Sequence, residues 1–145
     1  MEIYSAGFTK HGARRFFGTL REQGIERLVD VRLNNTSQLA SFAKRDDLEY
    51  FLETIVGAEY IHEPSLAPTQ ELLDAYKKNN GDWETYEKGF VDLMAERKVE
   101  DLISKNLFKP RTLLLCSEHT AEHCHRRLVI EYLDAQWGDV HGIHL

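Results

Sequence analysis

The chain has 145 residues, 42% of them hydrophobic and 29% charged, with a formal net charge of -6. Folding at this length buries roughly 68–70% of the unfolded surface, so the core needs neither disulfides nor a metal to hold it, and two cysteines are too few for a disulfide scaffold. No run approaches the ~20 apolar residues of a membrane span, and Met1–Ser5 carries no basic stretch followed by an apolar one. The expectation is a cytoplasmic domain over residues 1–145, without a membrane partner.

The charge is distributed unevenly. Residues 1–45 hold eight Lys/Arg against four Asp/Glu, residues 46–101 hold fifteen acids against five bases, and residues 102–145 balance at five each. The acidic excess falls on a segment that reads as mostly helical, where charges form a solvated face. An acidic total argues against coating nucleic acid by bulk charge, while leaving room for a local positive pocket.

In chain order, Ile3-Tyr4-Ser5-Ala6 closed by Gly7 reads as a buried strand. Ala13, Phe16, Phe17 and Leu20 recur at helical spacing between Lys10 and Gln23, and Gly24 stands where a left-handed cap is expected. Ile25–Val31 is a second strand ending at Arg32, followed by the polar loop Asn34-Asn35-Thr36-Ser37. Asp46 or Asp47 can cap a helix with the stripe Leu48, Phe51, Leu52, Ile55 and Val56, ended by Gly57. Glu59–His62 is a third strand, halted by Pro64. A helical insertion follows over about 69–107. Its first helix reaches about Lys78, Asp82 caps a longer one bearing Tyr86, Phe90, Leu93 and Met94, and a short one lies near 99–107. Arg111–Cys116 is the most apolar run and a central strand. Thr120 is the expected cap of a last helix carrying Leu128, Val129, Tyr132 and Leu133, stopped by Gly138, and Val140–His144 closes the chain as a fifth strand.

Strands alternating with helices define an α/β fold of three layers, with a mostly parallel five-stranded sheet. Right-handed crossovers favour the order 3-2-1-4-5, which places the chain reversal between the first and fourth strands. Ligands of such sheets bind beyond the carboxyl ends of the strands at that reversal. The segments that leave those ends are Gly7–His11, Asp30–Asn35, His62–Leu66 and Cys116–Arg127. They contain both cysteines and five of the seven histidines, and this coincidence is the physical argument for a site.

Cys116-Ser117-Glu118-His119 and His123-Cys124-His125-Arg126-Arg127 link a strand end to a helix start, where unpaired amides favour a thiolate or an anion. Cys124 is expected inside the first helical turn, with His125 and Arg126 lowering its pKa. A transient redox pair with Cys116 stays open. The metal-ligating types Cys116, His119, His123 and Cys124 or His125 span one loop without paired halves, so no metal is expected. Asp30 and Arg32 pair a carboxylate with a guanidinium suited to anion capture. His62 reaches the same edge as a possible general base, while Tyr60 reads as core. No Gly-rich dinucleotide fingerprint, P-loop or Cys-x5-Arg phosphate loop is present, and no cofactor is expected.

Taken together, Ala6-Gly7-Phe8-Thr9, Gly24–Arg32, Tyr60–Leu66, Tyr86 with Phe90, Leu114–Glu118 and Cys124–Arg127 resemble the domain-of-unknown-function 488 family over most of the chain. The resemblance implies a Rossmann-like α/β domain with Gly7, Thr9, Asp30, Arg32, His62, Cys116, Glu118, Cys124, His125 and Arg126 gathered at one edge. It implies no reaction. The sequence departs from the family pattern at Asn34-Asn35-Thr36, in place of Pro-Arg-Ser, and at Leu66-Ala67-Pro68, in place of Leu-Gly-Gly. His119 and His123 lie outside the pattern. Three functions fit these residues. In the first, the chain is an enzyme on a phosphate-bearing or nucleotide-like small anion, with Cys116 or Cys124 as nucleophile or redox thiol, His125 or His62 as base, Asp30 or Glu118 as orienting or acid–base carboxylate, and Gly7, Thr9, Arg32 and Arg126 binding the ligand. In the second it is a nucleic-acid-linked hydrolase or binding module, and in the third a non-catalytic ligand sensor.

Overall fold

Alternate residues of each strand face opposite ways, and here they feed two separate cores. The computed structural model describes residues 1–8, 12–36, 41–77, 81–117 and 123–145. Its elements are β1 (Glu2–Gly7), α1 (Ala13–Glu22), β2 (Arg27–Asp30), α2 (Arg45–Phe51), β3 (Glu59–His62), α3 (Gln70–Lys77), α4 (Trp83–Arg97), α5 (Val99–Leu102), β4 (Thr112–Cys116), α6 (His125–Trp137) and β5 (His141–His144). On one face of the sheet Ile3, Val29, Leu114 and Cys116 join Phe90, Met94, Leu128 and Leu133 of α4 and α6. On the other, Tyr4, Ala6, Leu28, Leu113 and Leu115 join Phe16, Phe17, Leu20, Leu48 and Leu52 of α1, α2 and the turn beyond α2. The three-layer α/β reading therefore holds, with every strand pair parallel.

The strand order does not hold. It is β3-β2-β4-β1-β5, so β1 and β4 exchange places relative to the expected 3-2-1-4-5. The handedness rule fixes the sense of each crossover and leaves open which of two apolar strands is central. Thr112–Cys116 is buried at every position and takes the centre, between β2 and β1. Beginning at exposed Glu2, β1 lies one place further out, with β5 on its other side.

Local signals are mostly confirmed. Gly24 and Gly57 adopt φ of +68° and +76° at the ends of their helices, conformations that glycine takes without a Cβ penalty. Asp82 caps α4 by accepting from the Thr85 amide. Lys44, rather than an aspartate, precedes α2, placing Asp46 and Asp47 in its first turn, where they complement the dipole. That helix continues through Leu52–Val56 as a wider π turn. The last helix begins at His125, with Cys124 in extended backbone just before it. This corrects one expectation: Cys124 is the cap residue of α6 and stands at the helix boundary rather than inside the first turn, while the expected cap Thr120 lies outside the described residues. Its link to Cys116 ties Cys124 to the end of β4, and an extended residue there sets where the helix can begin. Among the described residues, no helix is long and apolar enough to cross a membrane.

Candidate functional site

Parallel register aligns the strand ends. Gly7 lies beside Cys116, Asp30 beside Leu115 and Asp30 beside His62. After β2 the chain turns to the face of α1 and α2, and after β4 to the face of α4 and α6. Adjacent strands whose exits diverge leave a crevice. Since α1, which follows β1, also lies on the face opposite α6, β4 diverges from both of its neighbours, and the crevice that opens is the one on the β2 side. A cleft of about 380 Å³ opens there, lined by Arg32, Leu33 and Asn34 after β2, Pro68 before α3, Trp83 and Tyr86 of α4, and Cys116, Ser117, His123, Cys124 and His125 around the β4 exit.

Arg32 is held by Asp30 in a two-pronged ion pair, Nε to Oδ1 and Nη2 to Oδ2, both 2.8 Å. Asp30 is fully buried and Arg32 only 3% exposed. The carboxylate also accepts from the Arg32 amide (3.1 Å) and the Tyr60 hydroxyl (2.6 Å). Burial, that hydrogen bond and the carboxylate charge push the Tyr60 phenol far above its ordinary value, so it stays a donor. With four donors around it, Asp30 is saturated. The guanidinium lies 5.2 Å from the Phe8 ring centre, and among the described residues its buried Nη1 has no hydrogen-bond partner. His62 Nε2 donates to the Arg32 carbonyl at 3.0 Å, bracing the backbone that carries the guanidinium.

The second cluster forms where β4 meets α6. Cys116 and Cys124 are joined as a disulfide, their Cα atoms 7.2 Å apart. His125, 7% exposed, places Nε2 2.7 Å from the Val31 carbonyl oxygen. A carbonyl only accepts, so Nε2 carries a proton, and in the neutral ring the lone pair is on Nδ1. Nδ1 lies 3.5 Å from Cys116 Sγ. The ring leans on Phe90, with centroids 5.3 Å apart.

Aromatic groups wall the cleft. Trp83 stacks on His123 (5.0 Å, 24°) and on Tyr86 (5.1 Å, 26°), and Tyr76 closes against both Trp83 and Tyr86. Sequence reasoning missed this wall. Its signal was Trp83 and Tyr86 three residues apart at the start of a capped helix, a spacing shared with ordinary core stripes. Asn34 and Pro68, from the two stretches that depart from the family pattern, also line the cleft.

The structure therefore brings Arg32, Cys116, Cys124 and His125 to one cleft, with Asp30 and His62 behind Arg32. Arg126 goes elsewhere. It is fully buried and does not line the cleft, and its Nε donates to Ser5 Oγ at 3.2 Å. Ser5 in turn bonds Nδ1 of His144. Gly7 marks the end of β1 without lining the cleft, and Thr9, His11, Glu118, His119 and Thr120 lie outside the described residues.

Burial, followed by the charges of Arg126 and Arg127, lowers the His144 pKa below its ordinary 6.5. A histidine whose folded pKa is depressed takes up its proton more readily in the unfolded chain, so its contribution is present above pH 6.5 and is lost as pH falls below that value. Urea midpoints measured across this window should fall more steeply for the wild type than for His144→Gln. Equal slopes would remove His144 from the balance.

A doubly covered parallel sheet with a cysteine–histidine–arginine cleft at its carboxyl edge defines the class: an α/β protein of the Rossmann-like kind. The family described as Domain of unknown function DUF488 matches residues 12–133, and the chain belongs to it. No curated protein and no solved structure matches the chain.

Proposed function

We propose that the chain is an enzyme acting on a phosphate-bearing, nucleotide-like small molecule, with its chemistry centred on Cys116, Cys124 and His125. The observation that carries this reading is Arg32, a buried guanidinium beside the cleft with two nitrogens committed to Asp30 and Nη1 left without a partner. An arginine pre-set by a carboxylate offers its remaining edge to an anion at little entropic cost. The Trp83–His123–Tyr86 wall supplies a stacking surface for a flat ring, and about 380 Å³ suits a small ligand.

In this reading Asp30 and His62 are positioning residues. The saturated carboxylate of Asp30 orients Arg32. With the pair reduced, Nδ1 of His125 accepts the proton of the Cys116 thiol, which makes the sulfur a nucleophile. Arg126 serves the β1–β5 seam.

Calorimetric titration of the reduced, chelator-treated chain with adenosine and uridine monophosphates tests the reading. At least one should bind, and Trp83→Leu should weaken it by roughly 5- to 150-fold, as one stacked base is worth ~1–3 kcal/mol. Arg32→Lys, which cannot keep both the fork to Asp30 and a free edge, should weaken it as well. Absence of binding by both nucleotides would overturn the reading. Enzyme and sensor separate on iodoacetamide labelling at neutral pH: a reduced Cys116 alkylated no faster than an ordinary cysteine favours the sensor.

A further inference from the structure

We infer that, when reduced, Cys116, Cys124 and His125 bind a thiophilic divalent cation of the zinc class. The sulfurs and one nitrogen of these three buried residues lie within 4.8 Å of one another. In a tetrahedral site with Zn–S near 2.3 Å and Zn–N near 2.0–2.1 Å, a sulfur and a nitrogen stand about 3.6 Å apart, and Cys116 Sγ lies 3.5 Å from His125 Nδ1. The sequence argued against a metal because the ligand types fell in one loop. The fold brings the two ends of that loop together: Cys116 at the end of β4 meets Cys124 and His125 at the start of α6.

Two further observations point the same way. Ligating histidines usually donate their other ring N–H to a carbonyl or carboxylate, which fixes the tautomer and orients the lone pair. His125 Nε2 does so to Val31 at 2.7 Å, leaving Nδ1 toward the sulfurs. Phe90 packs against the ring, and the apolar residues Leu114, Leu128 and Val129 belong to the same core as both cysteines. Two thiolates and an imidazole favour a borderline-soft cation over magnesium or calcium. Three protein ligands leave a fourth position, and all three residues line the cleft, so that position is available to water or an anion there. This is the arrangement of a catalytic rather than a structural zinc site.

A dithiol reductant passes two electrons and two protons to the Cys116–Cys124 disulfide, giving two thiols and the oxidised reductant. The cation then displaces both thiol protons to solvent. Disulfide and metal therefore exclude each other.

The inference shares residues with the function proposed above but not its ligand, so the two fail separately. The nucleotide titration uses a metal-free chain, and the metal titration contains no phosphate compound. In the latter the full chain is reduced, freed of reductant and metal under argon, and titrated with cobalt(II) and then zinc. The expected result is one equivalent of cobalt with an intense thiolate-to-metal charge-transfer band and tetrahedral d–d bands, all abolished by zinc. The oxidised chain should give none. Cys116→Ser and Cys124→Ser should each remove most of the charge-transfer intensity. His125→Ala, which removes a direct ligand, should retain it with cobalt bound more weakly by at least the ~10- to 100-fold that loss of an outer-shell partner costs. The wild type supplies a measure independent of any variant's folding: stoichiometric zinc should protect both thiols from a disulfide reagent. Absence of cobalt–thiolate bands in the reduced, folded wild type would overturn the site, as would full-intensity bands in both serine variants.

Discussion

Asp30→Asn should lower the stability of the chain by about 3–5 kcal/mol, the cost of leaving one partner of a buried ion pair uncompensated. Both partners are almost wholly buried, and two of the four hydrogen bonds that Asp30 accepts come from the Arg32 guanidinium. Asparagine keeps the shape and one acceptor oxygen, and it leaves a cation in the interior without its charge partner. Against a typical total of ~5–15 kcal/mol the loss is a large fraction. Urea unfolding followed by far-UV circular dichroism measures it. Arg32→Met added to Asp30→Asn should recover most of the loss, because removing both charges removes the uncompensated one. If the double variant is no more stable than the single, the cost lies in shape or in the Tyr60 contact rather than in charge.

Phe90→Ala should cost a comparable ~3–5 kcal/mol, from lost burial plus the cavity left behind. Its ring is fully buried, stacks on Tyr86 at 6.2 Å and leans on His125 at 5.3 Å. Phe90→Leu conserves much of the volume and should cost less than about 1.5 kcal/mol. Similar losses for the two variants would mean that the site collapses around the smaller side chain. Phe90 is also the packing behind the His125 ring, so the alanine variant should bind cobalt more weakly than the leucine variant does.

The layers of the fold were legible because period-two and period-3.6 patterns are local. Leu113, Leu114 and Leu115 announced a buried strand, and Gly24, Gly57 and Asp82 marked helix ends by backbone and capping chemistry that acts within a turn or two. The order of strands was not local. Tyr4-Ser5-Ala6 and Leu113–Leu115 are both apolar enough for the centre, and the choice rests on packing on both faces of the sheet, against α4 and α6 on one and α1 and α2 on the other. Arg32, Cys116, Cys124 and His125 could be assigned to one edge because each follows a strand end. Arg126 follows one too, yet it turns inward to Ser5. A helix places successive side chains about 100° apart, so neighbours in sequence need not share a site. Trp83, Tyr76 and His123 were illegible for a related reason: they come together only when α3, α4 and the β4 exit meet.

The bond from His125 to Val31 ends on a main-chain carbonyl. The instruction for where the imidazole keeps its proton is therefore written in the backbone just beyond β2 and not in any side chain there. Position 31 can change identity freely within the limits of core packing, and the carbonyl remains. Random substitution can delete the sulfurs or the ring. It reaches the tautomer only by displacing the strand itself, which makes the polarity of this site as durable as the sheet that carries it.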